Sequence, residues 1–359
     1  MTRARSAAEE LAIAEQCDAR GDHDEAINAL ARATKLGDVE ATTRLGKRLL
    51  VGENGPLLPS DGARFLIDAV KSGGAEAAAR LAVLAAAGAY IEQSLAGALR
   101  LTAMAAQRGW LPARSQLLAL SPDRELASVA SAAGASGDHW QGLADSIDIG
   151  YWTSAPDRKT LNRSPLICAF DSFAPEAVCR WLIERSAGRL ERALVYDAVG
   201  GRNFASETRT NSSAQFDLTG SELIHLLVQK RMEAACGVPL HNMEATAVLH
   251  YAAGEQITDH FDFVDPQIPN YEQEIQKNGQ RVLTFLVYLN DDYEGGETEF
   301  PELGILHKGR CGEGLFFVNA LQNNEPDLRT VHAGRPPTSG EKWVVSQFVR
   351  SRRVLAVAC

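Results

Sequence analysis

A chain of 359 residues is long enough for two or three domains, each able to bury its own core. With 45% hydrophobic and 23% charged residues, its composition is that of a folded globular protein and excludes wholesale disorder. A formal net charge of −10 removes the basic field that sequence-independent nucleic-acid binding requires, and the short run Arg350, Arg352, Arg353 reads as a solvated terminus.

The opening stretch, "MTRARSAAEELAIAEQ", places two glutamates where a signal peptide needs an apolar run, and no segment is long and apolar enough to span a bilayer. The expectation is a cytoplasmic protein with neither nucleic acid nor membrane as partner. Cys17, Cys168, Cys179, Cys236, Cys311 and Cys359 show no CxxC spacing and are expected as reduced thiols.

Residues 1–120 repeat with a period of 36: Gly37, Gly73 and Gly109 are in phase, as are Ala41, Ala77 and Ala113, Leu45, Leu81 and Leu117, and Ala33, Ala69 and Ala105. Within each period "EATTRLGKRLL" and "EAAARLAVLAA" carry helical periodicity and end at Gly52 and Gly88, and a second helix follows. Two helices per unit at this spacing predict stacked αα-hairpins. The pattern resembles tetratricopeptide-type arrays of the Sel-like subclass, which implies a concave surface for a protein partner; a spacer or dimer contact is the alternative.

Residues 121–164 lose the period, and "ASAAGASGDH" and "TSAPDRKTLNRSP" read as connector with one short helix. From 165 to 355 the texture changes. Helical "APEAVCRWLIERSA" and "TGSELIHLLVQKRMEAACG" are interleaved with strand-like "RALVYDAV", "EATAVLHYAAG", "QRVLTFLVYLND", "GLFFVNAL" and "EKWVVSQFVRS". The predicted architecture is multidomain: an all-α repeat array, then an α+β domain with an antiparallel barrel or jelly-roll core.

In "HFDF" alternate side chains share a face of a strand, so His260 and Asp262 point together and Phe261 points away. "TVHAG" offers His332 as a third ligand, and two imidazoles with one carboxylate make the facial triad of non-haem Fe(II) oxygenases. Taken alone, the spacing is weak evidence, because a surface histidine beside a solvated acid is far commoner. Lys342 opens the apolar run "KWVVSQFV", either as an edge-strand or snorkelling lysine or as a point charge for the distal carboxylate of a dicarboxylic co-substrate. Thr284 and Tyr288 share a strand face, so their hydroxyls could join the same anion site, or could be satisfied core groups.

Several ordered blocks together resemble the prolyl 4-hydroxylase family of Fe(II)- and 2-oxoglutarate-dependent dioxygenases. "YAAGEQITDHFDF" supplies Tyr251, Gly254, His260 and Asp262. "RVLTFLVYLNDDYEGGETEFP" supplies Arg281, Thr284, Tyr288, Gly295, Gly296 and Thr298. "VHAGRPPTSGEKW" supplies His332 and Lys342, and "RTNSS" from Arg209 resembles a short upstream element. The resemblance, over about Leu166 to Arg353, implies a double-stranded β-helix with iron at His260, Asp262 and His332. It also implies 2-oxoglutarate held by Lys342 and Thr298 with Tyr251 nearby, O2 as oxidant, and succinate and CO2 as products; whether ascorbate assists is left open. Ile257 stands where many members have tyrosine, and Phe348 where tryptophan is frequent, both on the substrate side. The expected activity is hydroxylation of a peptidyl residue, foremost proline at C4, in a protein recruited by the repeats. The alternatives are another side chain or a free small molecule, or an inert interaction scaffold.

Overall fold

The computed structural model describes residues 5–131, 137–197, 202–268 and 271–354, so Cys359 lies outside it. The chain divides into two compact units, residues up to Ile149 with Leu218–Leu226, and Gly150–Asp217 with Leu227 onward.

The first unit is helical: α1 (Ala7–Ala19), α2 (His23–Lys35), α3 (Val39–Val51), α4 (Pro59–Lys71), α5 (Ala75–Ala87), α6 (Leu95–Gln107), α7 (Leu111–Leu120), α8 (Arg124–Ser131) and α9 (Gly137–Ser146). Helices α1 to α6 pair in sequence as antiparallel hairpins, the arrangement the period predicts. Ser6, Asp22, Asp38 and Ser94 cap four of them through side-chain oxygens. Gly52 and Gly88 end α3 and α5 in left-handed conformation, with φ of 71° and 66°. All nine alanines and leucines of the three in-phase registers are buried. The small residues permit backbone contact: a Cβ on Gly62 would lie 2.7 Å from the Gly46 carbonyl and 2.8 Å from the Leu50 nitrogen. One period on, Ala82 and Ala98 occupy the same places and are fully enclosed.

Residues 121–164 are not the connector with one short helix that their composition suggests. They contain α8, α9, α10 (Ile149–Thr153) and the strand β1 (Lys159–Arg163). Helix α9 buries Trp140, Leu143 and Ala144 and packs on α6 and α7, so tertiary burial outweighs a glycine- and serine-rich local sequence. The segment Leu218–Leu226 joins the first unit through a buried ion pair. Arg80 donates to Glu222 Oε1 and to the carbonyls of Thr219 and Ser221, each at 2.6 Å, while Gln116 donates to Glu222 Oε2 at 3.0 Å.

The second unit contains β2 (Leu166–Phe170), α11 (Glu176–Ala187), β3 (Glu191–Arg192), β4 (Val195–Asp197), β5 (Arg202–Phe204), β6 (Ser212–Phe216), and most of α12 (Leu223–Cys236). Then come β7 (Thr246–Tyr251), β8 (Ile257–His260), α13 (Tyr271–Asn278), β9 (Arg281–Tyr288), β10 (Glu294–Gly295), β11 (Thr298–Phe300) and β12 (Ile305–His307). The last strands are β13 (Gly314–Val318), β14 (His332–Gly334), β15 (Pro337–Ser339) and β16 (Lys342–Arg350). Eight strands form a large antiparallel sheet in the order β1-β2-β13-β9-β16-β7-β6-β3, and four form a small one, β12-β11-β14-β8. Inward residues of both sheets share one core: Tyr251, Leu286, Tyr288, Phe317 and Val344 from the large sheet meet Ile257 and Phe300 from the small one. This is the expected double-stranded β-helix. The central strands β9 and β16 are buried along nearly their whole length, which is why they read as continuous apolar runs.

Replacing Gly62 by valine should lower the stability of the helical array by about 1–3 kcal/mol, the usual cost of overpacking. Denaturant unfolding followed by circular dichroism measures it, and an unchanged midpoint would contradict the α3–α4 backbone approach.

Candidate metal centre

Two short strands bring the histidines together. β8 and β14 pair antiparallel with His260 directly opposite His332, and their ring centroids are 4.2 Å apart. Nδ1 of His260 donates to the Thr258 carbonyl at 2.8 Å, and Nδ1 of His332 to the Thr330 carbonyl at 3.0 Å. With Nδ1 committed there, Nε2 is the ring nitrogen that each histidine turns inward. β8 ends at His260, so Asp262 sits in the turn that follows rather than on the strand. The alternation expected of "HFDF" persists nonetheless: Phe261 and Phe263 stack on each other at 4.7 Å, and buried Asp262 faces the imidazoles. His260 Nε2 is 3.4 Å from Asp262 Oδ1, and His332 Nε2 is 3.3 Å from Oδ2. One ligand atom from each residue falls within 4.8 Å of the others, the geometry needed to grip one ion.

The carboxylate is held from behind. Thr284 Oγ1 donates to Asp262 Oδ2 at 2.7 Å, and Asn319 Nδ2 donates to Thr284 Oγ1 at 2.8 Å, all fully enclosed. Burial pushes the Asp262 carboxyl up, but the charge of His332 and hydrogen bonds from both histidines outweigh it and hold the group well below the usual carboxylate range. For His332, burial favours the neutral ring, yet the Asp262 charge prevails and raises its affinity for a proton. A site that draws a proton between carboxylate and imidazole draws a metal cation for the same reason. Phe317 and Phe300 pack on the His332 ring at 4.6 and 5.5 Å and wall it from water.

Lys342 opens β16 opposite Tyr251 and is buried. Its ammonium lies over the rings of Tyr251 and Tyr288, 5.3 and 5.5 Å from their centroids, and pairs with no carboxylate among the described residues. Burial lowers its pKa to about 8, with Glu297 offsetting part of that. A buried, unpaired ammonium is costly and suits an anionic ligand. Tyr288 and Thr298 share a hydrogen bond of 2.8 Å, and both phenols, Tyr251 and Tyr288, are kept neutral by burial.

Of the residues singled out in the sequence, His260, Asp262 and His332 converge at one point, and Lys342, Tyr251, Tyr288 and Thr298 gather around the inner end of β16. Thr284 does not join that second group; its hydroxyl is bound to Asp262. "RTNSS" runs beside β8, where Thr210 N bonds the Gln256 carbonyl and Thr208 O accepts from Thr258 N. Ile257 belongs to the core, and Phe348 lies under the Arg281 guanidinium at 3.9 Å. Asn319 and Phe317 escaped sequence reasoning because nothing in "GLFFVNAL" distinguishes a ligand's support from ordinary core, and Phe300 in "GGETEFP" reads the same way. A cavity of about 540 Å³ lined by Phe261, Phe263, Val264 and Ile268 lies beside the metal-binding turn but includes none of the three candidate ligands.

Residues 246–350 match the model of the 2OG-Fe(II) oxygenase superfamily. Probable prolyl 4-hydroxylase 6 of Arabidopsis thaliana is 30% identical over 55% of this chain and 73% of its own. The chain belongs to the prolyl 4-hydroxylase family of these oxygenases. Probable prolyl 4-hydroxylase 7 of the same plant is 28% identical, matching 54% of this chain, which spans 66% of that relative's length. Among solved structures, the viral collagen prolyl hydroxylase of Paramecium bursaria Chlorella virus-1 with 2OG is 26% identical, with a TM-score of 0.41 over 52% of this chain and 96% of its own.

Membership in this oxygenase family implies Fe(II), 2-oxoglutarate and O2, and the residues fit. Two imidazole nitrogens and one ionised carboxylate suit Fe(II), while the unpaired Lys342 ammonium suits a dicarboxylate's far end. No helix among the described residues is long and apolar enough to cross a membrane.

Because Lys342 loses its charge near pH 8, 2-oxoglutarate should bind with constant affinity just below that pH. Above it, the dissociation constant should rise about tenfold per pH unit. Calorimetric titration of the Mn(II)-loaded protein across pH 7 to about 10 measures this, and Lys342→Arg, charged throughout, should show no such inflection.

Proposed function

We propose that the protein is an Fe(II)- and 2-oxoglutarate-dependent dioxygenase that hydroxylates a prolyl residue of a protein substrate. The observation that carries this is the pairing of a His260–Asp262–His332 cluster with a buried, unpaired lysine in the same β-helix. One without the other would suit a structural metal or a bland core.

In this reading His260, Asp262 and His332 would hold the ferrous ion, leaving its remaining coordination sites to reactants. When bound, Fe(II) would supply a redox-active centre at which O2 takes two electrons from 2-oxoglutarate and two from a substrate C–H bond. One oxygen atom goes to 2-oxoglutarate, which loses CO2 and becomes succinate; the other enters a C–H bond of the substrate as hydroxyl. Thr284, backed by Asn319, fixes the Asp262 carboxylate so that it presents a constant edge to the metal. Lys342 neutralises the distal carboxylate of 2-oxoglutarate and thereby orients its 2-oxo acid end, with Thr298 and Tyr251 completing the pocket. Phe300 and Phe317 keep water from the His332 side. Residues 165–355 form the catalytic domain in this reading.

Support for proline as target comes from the prolyl 4-hydroxylase relatives. A second reading, hydroxylation of a different side chain or of a small molecule, is favoured by Ile257, which packs into the core and offers no hydroxyl beside β8. The helical array is proposed to recruit the substrate protein, and it carries exposed Leu36, Leu57 and Leu111.

Anaerobic Fe(II) with 2-oxoglutarate should give a visible charge-transfer band, and His332→Ala should abolish it. Comparing proteomes exposed to active and His332→Ala enzyme by mass spectrometry should then show an added oxygen on proline; the same gain on another residue type supports the second reading, and no gain on protein points to a small molecule. Replacing Leu36, Leu57 and Leu111 together by serine should raise KM for a whole-protein substrate roughly tenfold, the scale of a lost hot spot. A short peptide should be unaffected, and equal effects on both would remove the array from recruitment.

A further inference from the structure

Tyr293 lies in the turn between β9 and β10 and is 3% exposed, yet its hydroxyl has no hydrogen-bond partner among the described residues. A buried phenol left unpaired is costly, and so is a buried ammonium; native folds seldom keep either without a use. Here the two are neighbours. Gly296 separates them: a Cβ at that position would lie 2.8 Å from Tyr293 Cε2 and 3.5 Å from Lys342 Cδ. Its φ of 72° also requires glycine, so the chain passes between ring and lysine as bare backbone. The Gly340 turn that leads into β16 rests on the Tyr293 backbone, with Cα 2.9 Å from a Cβ built on the glycine. Lys308 Nζ donates to the Tyr293 carbonyl at 2.7 Å and fixes the turn from outside.

Three other hydroxyls of this region are already engaged. Tyr288 and Thr298 satisfy each other at 2.8 Å, and Thr284 is bound to Asp262. Open beside Gly296 are an ammonium on one side and the Tyr293 phenol on the other, with the Tyr251 phenol lying against the same ammonium. A carboxylate has two oxygens and accepts from two such donors at once.

We propose that Tyr293 is a co-substrate-positioning residue: its phenol donates to one oxygen of the distal carboxylate of 2-oxoglutarate while Lys342 pairs with the other. This rests on the dioxygenase reading and adds to it a residue that no motif resemblance marked. Tyr293 closes the far end of the pocket, so it meets only ligands that carry a second carboxylate.

The test is calorimetric titration of the Mn(II)-loaded protein, wild type and Tyr293→Phe, with 2-oxoglutarate and with 2-oxopentanoate, in which a methyl group replaces the distal carboxylate. The substitution keeps the ring and removes one oxygen. The expected result is an approximately tenfold rise in the 2-oxoglutarate dissociation constant, the scale of one hydrogen bond to a charged group, with no change for 2-oxopentanoate and full Mn(II) content. Loss of affinity for both ligands alike, or for neither, overturns the assignment. Failure of the wild-type protein to bind 2-oxoglutarate at all would instead sink the underlying dioxygenase reading. Circular dichroism of Tyr293→Phe separates a local effect from misfolding. Should that variant not fold, Lys342→Met decides: a residual preference for 2-oxoglutarate over 2-oxopentanoate supports a second donor to the distal carboxylate, and complete loss of that preference leaves the lysine alone and counts against the phenol.

Discussion

The register between β8 and β14 is the constraint on which the catalytic unit depends. Setting His260 opposite His332 puts two imidazoles on the same inward face of the small sheet. Because side chains alternate along a strand, a slip of one residue would turn one of them outward and leave the other with Asp262 alone. The pairing is short, so it needs help from outside the strands. Phe300 and Phe317 pack on one ring, backbone carbonyls two residues back orient both, and the 208–211 segment lies along the free side of β8.

Around that register the β-helix does something a plain hydrophobic core would avoid. It buries a carboxylate, the His332 imidazole, an ammonium and several hydroxyls between two sheets, with the His260 imidazole half-buried beside them. Some of these satisfy one another, as in the chain from Asn319 through Thr284 to Asp262. Others, Lys342 and Tyr293, find no such partner among the described residues. Unmet hydrogen-bonding capacity in an enclosed space is stability forgone by the free protein, and it is recovered when ligand arrives. The polar groups thus divide into a hydrogen-bonded cluster that shapes the metal site, with only Asn319 Oδ1 left over, and donors around Lys342 that await an anion.

The sequence revealed some of this and hid the rest for physical reasons. The repeat array was legible because in-phase glycines and alanines mark turns and close helix crossings that only such residues permit, as at Gly46 and Gly62. The long strands β9 and β16 were legible because strands buried on both faces are uninterrupted apolar runs. His260, Asp262, His332 and Lys342 stood out as polar residues in strand-like surroundings. Helices α8 to α10 and strand β1 were not legible, since their local composition is loop-like and only tertiary packing, such as burial of Trp140, commits them. Thr284 was assigned to the wrong neighbour: strand periodicity tells which face a side chain occupies but not how far along the barrel its partner lies. Tyr293 gave no signal, because an unpaired hydroxyl is a property of three-dimensional surroundings.

Strands β9 and β16 carry Thr284, Tyr288 and Lys342, and they are locked together at the end remote from Lys342. Arg281 makes two hydrogen bonds to Glu244, at 2.7 and 2.9 Å, and Arg350 bonds the same carboxylate, as well as Glu274 and the Gly279 carbonyl. Burial opposes ionising Glu244, yet two guanidiniums keep its carboxyl below the usual range. A buried network of this kind contributes little net stability compared with apolar packing, but losing one member leaves a charge stranded in the interior. Its value lies in geometry: the guanidinium forks fix the two strands in register, and that register determines where, several residues along, the lysine meets the tyrosines and the threonine meets the aspartate. The polar locks at one end and the open donors at the other are thus two ends of one device. The locked end takes up the tolerance in strand placement, so that the ligand-binding end can keep its groups unpaired without collapsing onto them.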